Sequence, residues 1–356
     1  PNFQSTFNVS ESLLGLVTPT GTIGFTTAAL TLGMIAGKID IKQYMLIGVL
    51  LTGATTALIG LAPAYLIFLL AIFLRGIAGG IPGGLSRPIL GHLFSENRGR
   101  IFNFHEAVWA FGAACGPLFA TAILTFSNWR TAYFILGFAF LPIFFIMRKT
   151  NISNSEIEEK AISISKLLSM LKNPALIGAI CVLFLNVGVE GGFFTWLPYF
   201  LSQSIPQSIA NLALSGFLAA YVPGRLLNGW LGKRFHYTTL ILANAIVVII
   251  SLIFAFYLTS GILVLIPVIF AGFAISAVFP CLFAFATESY PEHSGPINGL
   301  FMTFDPLGIS TIPAIMGVLA DYYSIKLAMR SMLIPMIGVV VITLILRRMK
   351  IRGMTH

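Results

Sequence analysis

Residues 174–201 read PALIGAICVLFLNVGVEGGFFTWLPYFL, and in that run a single residue, Glu190, carries a charge. About 20 consecutive apolar residues let a helix cross the hydrocarbon core of a bilayer, so the run reads as a membrane span. A charge at the centre of a span costs about 2.5 to 3.5 kcal/mol on insertion scales, so Glu190 needs a role that offsets it. The rest of the chain agrees with the span. Of its 356 residues, 57% are hydrophobic and 9% charged, and the mean hydropathy is +0.92, whereas soluble domains are about one-quarter charged. The chain is an integral membrane protein.

Further runs of span length are expected at 13–36, 44–61, 64–92, 101–125 and 131–147, then at 174–201, 207–231, 238–259, 261–287, 296–320 and 327–346. That makes about eleven spans. If they alternate in direction, one side collects Lys38, Lys42, Arg98, Arg100, Arg148, Lys149, Lys160, Lys166, Lys172, Lys233, Arg234, Arg347, Arg348, Lys350 and Arg352; the other collects Arg130 and Lys326. Positively charged loops stay in the cytoplasm. The rule assigns the C-terminus and the SNSEIEEKAISISK stretch to the cytoplasm and residues 1–10 to the outside, with the inner, plasma membrane as location. The same rule explains the net charge of +9 without nucleic acid, which is not expected as a partner. Cys115, Cys181 and Cys281 fall inside apolar runs with no paired spacing, which suggests neither a disulfide framework nor a zinc site.

A shift of 196 positions matches Gly33 with Gly229, Glu96 with Glu292, Gly99 with Gly295, Gly112 with Gly308, Pro117 with Pro313 and Arg130 with Lys326. Each pair holds the same place relative to a span, so the chain is a tandem repeat of the kind common in transporters. On this shift the Glu190 span has its counterpart upstream of Pro1, so one further N-terminal span is expected. The expected architecture is an all-α membrane protein of two six-helix bundles, its first helix missing: an N-terminal bundle at 1–147, a cytoplasmic loop at 148–172 and a C-terminal bundle at 173–356.

GMIAGKIDIK (33–42) resembles the loop of the major facilitator superfamily written G-x-L-A-D-R-x-G-R-R, and GRLLNGWLGKRF (224–235) resembles its second-half copy. The family aspartate falls on Gly37 or, with a gap, on Asp40, and on Lys233 in the second copy. LRGIAGGIPGG (74–84) is similar to the R-x-x-x-G signature of the fourth helix, and NWRTAYFILG (128–137) to the W-R entry of the sixth. NFHEAVWAFGAACGP (103–117), NVGVEGGFFTWLP (186–198) and GFAISAVFPCLFAFATESYPE (272–292) resemble patterns of the fucose and glucose permease branch. Arg87 stands where that branch often has asparagine, and Asn186 where it often has tyrosine. The resemblance implies a secondary active transporter that rocks two bundles around a midplane site, moving a sugar or similar polyol with a proton or sodium ion.

Glu190 lies about 21 Å into its span from Leu176, at 1.5 Å per residue. Two readings stand: a packing glutamate bonded to a neighbouring helix, or an acid that takes up and releases a proton during transport. Asn186, one turn away on the same face, is a candidate to share its polar pocket. Trp196 is either a platform for a sugar ring or an interface anchor. Arg75, near the midplane, is a structural arginine on helix carbonyls, a partner of Glu190, or a binder of anionic solute. Asp305, followed by Pro306, is a second proton or cation site or a partnered acid at a kink. Arg87, His105, Glu106 and Arg225 lie near cytoplasmic span ends and are candidates for a gate of charge pairs; ordinary interfacial charges are the alternative. GGIPGG sits inside a span, where close helix packing outweighs phosphate binding.

No Ser/His/Asp or metal-ligand arrangement stands out, so an enzyme is not expected, and no cofactor. Proton-coupled sugar symport by a monomer is the leading reading. Organic-anion transport, drug/proton antiport and solute sensing without transport are the rivals.

Overall fold

The computed structural model describes residues 6, 7, 9, 16–150 and 163–351. SNSEIEEK (153–160), with its Lys160, as well as Arg352 and most of residues 1–10, lie outside the described residues. Among the described residues every element is helical. In order they are α1 (Val17–Ile35), α2 (Ile41–Leu61), α3 (Tyr65–Leu93), α4 (Arg98–Phe126), α5 (Trp129–Phe138), α6 (Phe140–Lys149) and α7 (Ile164–Met170). Then come α8 (Pro174–Ser202), α9 (Gln207–Ala219), α10 (Tyr221–Leu231), α11 (Tyr237–Ile253), α12 (Leu265–Ile275), α13 (Val278–Ser289), α14 (Ser294–Tyr322), α15 (Ile325–Ser331) and α16 (Leu333–Ile351). Nine stretches among the described residues are long and apolar enough to span a bilayer. α4 and the α9–α10 pair occupy the two other runs expected, 101–125 and 207–231. α4 is less apolar because it starts on Arg98 and Arg100 and carries His105 and Glu106.

The 196-residue shift reappears in the helix boundaries. Moved by 196, α4 falls end to end on α14, and the short turn Ser95–Asn97 on Pro291–His293. α2 and α11 start in register, as do α5 and α15. The caps agree. Asp40 and His236 each cap the next helix, Asp40 accepting from the Gln43 N–H at 3.0 Å and His236 from that of Thr238. Asn128 and Ser324 do the same, with Ser324 accepting from the Leu327 N–H at 3.1 Å. These side chains take donors that a helix N-terminus leaves unpaired. Asp40, the gapped position of the family aspartate, therefore serves as a cap. The W-R pair also gains a purpose: Arg130 donates to the carbonyls of Gly60 and Ala62 at 2.9 and 2.7 Å, at the end of α2. A cation there satisfies orphan carbonyls and opposes the helix dipole. In the second repeat Arg330, one turn beyond Lys326, takes the matching carbonyl of Phe256 at 3.0 Å.

The chain forms two compact units that do not follow chain order. Unit 1 comprises residues 1–93, 115–163 and 292–302, and unit 2 residues 94–114, 164–291 and 303–356. In unit 1, α1 and α3 meet along small residues: a Cβ on Gly80 would come within 2.5 Å of the Phe25 carbonyl oxygen, and one on Gly84 within 2.8 Å of that of Ala29. The glycines of GGIPGG thus let two backbones approach, as small residues do between membrane helices. Unit 1 also holds the first turns of α14, where Gly33 packs on Gly295. In unit 2, α8 and α14 interlock, with Gly308 against Phe184 and Gly188 against Ile312. The first turns of α4 belong here, with Gly229 against Asn103. Each unit therefore takes in the opening turns of one helix from the other repeat, and the two exchanges are related by the same shift.

Candidate functional site

In unit 2, Glu190 is buried in α8 and held by two donors. The Asn186 side-chain amide donates to Glu190 Oε1 at 2.8 Å, and the Tyr221 hydroxyl from α10 donates to Oε2 at 2.9 Å. Asn186 reaches the carboxyl because residues four apart share a helix face. Tyr221 is fully buried, its ring 5.3 Å from that of Phe217, which in turn stacks on Phe193 at 4.5 Å. The charges of Arg225 and Asp305 both act on Glu190. Asn186 Oδ1 is buried and accepts no hydrogen bond among the described residues. This set of partners suits both protonation states. As placed, the amide donates to a carboxylate; turned by half a turn, it would present Oδ1 to a protonated acid, and a hydroxyl such as that of Tyr221 either donates or accepts. Either partner can thus meet the protonated acid by turning; when the amide turns, its N–H groups face the side on which Oδ1 now accepts no hydrogen bond among the described residues.

Arg225 continues the cluster toward the basic end of the span. Its guanidinium lies 5.0 Å from the centre of the Tyr221 ring and 5.6 Å from that of Trp109. It donates to the Ser276 carbonyl at 3.1 Å and to the main-chain carbonyl of Glu106, with the Glu106 carboxylate 4.0 Å away. His105 Nδ1 sits 3.2 Å from the other Glu106 oxygen. Three of the four candidate gate residues thus meet in unit 2. α3 runs unbroken, but its second-repeat counterpart breaks between α12 and α13 at Ser276 and Ala277. Pro280, where the first repeat has Gly84, has no N–H for the Ser276 carbonyl four residues back, and Arg225 takes that carbonyl instead.

The fourth, Arg87, is buried in α3 of unit 1. It donates to Asn298 Oδ1 at 3.1 Å and lies 3.5 Å from the Met302 sulfur. Asn298 in turn donates to the carbonyls of Gly83 and Gly84 at 2.8 and 3.1 Å. Arg75, also in unit 1, is exposed and makes no hydrogen bond or ion pair among the described residues. Trp196 is half-buried, its indole N–H donating to the Pro313 carbonyl at 2.9 Å and its ring beside Gly317. That bond fixes the indole to α14 whatever else its face meets. Asp305 is half-buried on α14, within electrostatic range of Glu190.

Sequence reasoning missed Tyr221, Asn298 and Ser276. Each is an ordinary polar residue in an apolar run, and only the fold shows that Tyr221 and Asn298 face a buried charge. Pro223, two residues beyond Tyr221 in a span, is the one local sign of irregularity near it.

A model of the Major Facilitator Superfamily matches residues 1–205 and again 198–353. The fosmidomycin resistance protein of Escherichia coli K12 is 23% identical over 355 residues, covering 97% of this chain and 86% of its own length. The glucose/mannose transporter GlcP of Bacillus subtilis is 22% identical over 327 residues, covering 86% and 81%. Among solved structures, the major facilitator transporter FucP in its outward conformation superposes with a TM-score of 0.83 at 18% identity, covering 97% of this chain and 92% of FucP.

Proposed function

This chain belongs to the major facilitator superfamily, and from that premise we propose that it lies close to the fucose and glucose permease branch and carries a sugar across the plasma membrane with a proton, by alternating access. One observation carries the coupling: a buried span glutamate whose two partners, Asn186 and Tyr221, suit both its charged and its neutral form. A neutral acid is far cheaper to bury than a carboxylate, so protonation releases the charge that Tyr221 and Arg225 respond to. Glu190, Tyr221, Arg225 and Glu106 form a continuous series of contacts within unit 2. Through it the protonation state of Glu190 biases the grip of Arg225 on the opening turns of α4. Arg87 holds the opening turns of α14 in unit 1 through Asn298. Asp305 serves as the secondary acid. The side that collects lysine and arginine is cytoplasmic. The sugar is supported by the likeness to the permease branch and by what the B. subtilis relative is named for.

The test is uptake of radiolabelled glucose, mannose and fucose into proteoliposomes under an imposed pH gradient. Accumulation of one of them that collapses with the gradient is expected. Accumulation unaffected by collapsing the gradient removes proton coupling. A second reading, transport of organic anions, rests on Arg75, an exposed cation without an ion-pair partner among the described residues; carboxylates belong in the same panel.

A further inference from the structure

Unit 2 holds a cavity of about 530 Å³ between the first turns of α4 and the end of α10. Its walls include Asn97, Arg100, Phe104, Arg225, Leu226 and Trp230, so it borders the acid cluster through Arg225. Phe104 is 55% exposed and Trp230 51%; in a chain that spans a bilayer, apolar surface of this kind at span depth is solvated by acyl chains. The walls are graded along the span. Arg100 and Asn97 lie at the basic end, and Phe104 and Leu226 about one turn, roughly 6 Å, deeper. Arg234 lies 4.7 Å over the Trp230 ring at the same end. Arg100 is exposed and makes no hydrogen bond or ion pair among the described residues, and no acidic side chain lines the cavity.

The repeat supplies an internal comparison. Moved by 196, Arg100 becomes Pro296, Phe104 becomes Leu300 and Trp230 becomes Met34. In unit 1 those positions carry no cation, Pro296 is buried, and Leu300 is 4% exposed. At these positions the cation and the exposed aromatic rings therefore belong to one repeat and are not a by-product of the fold.

We propose that this cavity binds one anionic phospholipid of the cytoplasmic leaflet, its phosphate on Arg100 and Asn97 and its acyl chain along Phe104 and Leu226. Basic pockets between membrane helices on the cytoplasmic side have the charge and the depth for such a headgroup, and an arginine fork matches phosphate oxygens. Because α4 contributes both Arg100 and Glu106, a lipid seated here would hold the same opening turns that Arg225 grips.

Native mass spectrometry of the full chain in detergent, with palmitoyl-oleoyl phosphatidylglycerol or phosphatidylcholine added, tests this. Wild type is expected to retain one phosphatidylglycerol in preference to phosphatidylcholine, and excess inorganic phosphate is expected not to displace it. Arg100→Gln should weaken phosphatidylglycerol binding about fivefold, while Lys326→Gln, an exposed cation on the opposite side, should leave it unchanged. Trp230→Ala should weaken both lipids. Equal retention of the two lipids, equal loss in Arg100→Gln and Lys326→Gln, or displacement by inorganic phosphate would each overturn the proposal. Arg100 is on the surface, so monodisperse folded protein is expected for its variant.

Discussion

Replacing Glu190 by glutamine separates coupling from folding. The amide oxygen of a glutamine still accepts from Asn186, now 2.8 Å from the carboxylate, and its nitrogen donates to Tyr221, now 2.9 Å away, once that hydroxyl turns. Both bonds change from charge-assisted, about 1.5–3 kcal/mol, to neutral, about 0.5–1.5 kcal/mol, a loss of roughly 2 to 3 kcal/mol together. Against this stands the removal of a buried charge, whose desolvation costs several kcal/mol. The net change in stability is therefore expected to be near zero or favourable. Transport should change completely. A gradient of about one pH unit stores about 1.4 kcal/mol per proton and supports at most about tenfold accumulation with one proton per solute. Wild type should approach that ratio in proteoliposomes, and Glu190→Gln should stay near equality. Exchange of labelled for unlabelled solute at equal concentration, which needs no net proton movement, should persist within about threefold, an allowance of under 1 kcal/mol. If folded Glu190→Gln still concentrates solute under the gradient, Glu190 is a packing residue and coupling passes to Asp305. Loss of exchange together with accumulation would refute the separation argued here.

Three further outcomes are expected. Tyr221→Phe keeps the ring packed on Phe217 but removes one donor from Glu190, a loss of about 1.5–3 kcal/mol at that bond; accumulation should fall more than exchange, and an equal fall in both would argue against a coupling role. Arg225→Gln removes the guanidinium from the carbonyls of Ser276 and Glu106 and from the Glu106 carboxylate 4.0 Å away, so a thermal melt should show destabilisation of about 3 kcal/mol, and an unchanged midpoint would mean that the contact with α4 holds nothing. Gly308→Leu places a side chain against the Phe184 backbone, where even a Cβ would come within 2.5 Å of the carbonyl oxygen; folded yield should collapse, whereas Gly112→Leu, at the repeat-related position with open space around it, should fold.

How much of this was legible before the structure depends on the range over which each signal acts. Spans are local, a matter of about 20 residues of hydropathy, and the repeat needs only a fixed shift, so the fold could be read from Gly33, Glu96, Gly99 and Arg130 with their partners 196 positions on. The link between Asn186 and Glu190 was also local, being one helical turn. Contacts between spans were not legible, because in an apolar chain one face of a helix looks much like another. Tyr221 lies 31 residues from Glu190, and Asn298 lies 211 from Arg87. Nothing in hydropathy distinguishes Tyr221 from a tyrosine at an interface, or Asn298 from a residue that merely tolerates burial.

The repeat carries one more argument, because its two copies agree in backbone and disagree in chemistry where the opening turns of α4 and α14 are gripped. Arg87 and Asn298, moved by 196, become Phe283 and Phe102, whose rings meet edge to face at 4.8 Å. Arg225 and Glu106, moved back or forward by the same number, become Ala29 and Met302. The two borrowed helix starts are thus held by different chemistry at matching positions: in unit 1 by Arg87 on Asn298, in unit 2 by Arg225 at Glu106 and by the Phe102–Phe283 contact. The Phe102–Phe283 contact is apolar and indifferent to protonation. The contact of Arg225 with Glu106 contains a carboxylate, and its arginine lies over Tyr221 and so connects to Glu190. On the proposed role of Glu190, a proton arriving there therefore has a physical route through Tyr221 and Arg225 to the opening turns of α4. The positions that answer to Arg225 and Glu106 beside α14, Ala29 and Met302, carry neither an arginine nor a carboxylate, so this pair of side chains is not repeated there.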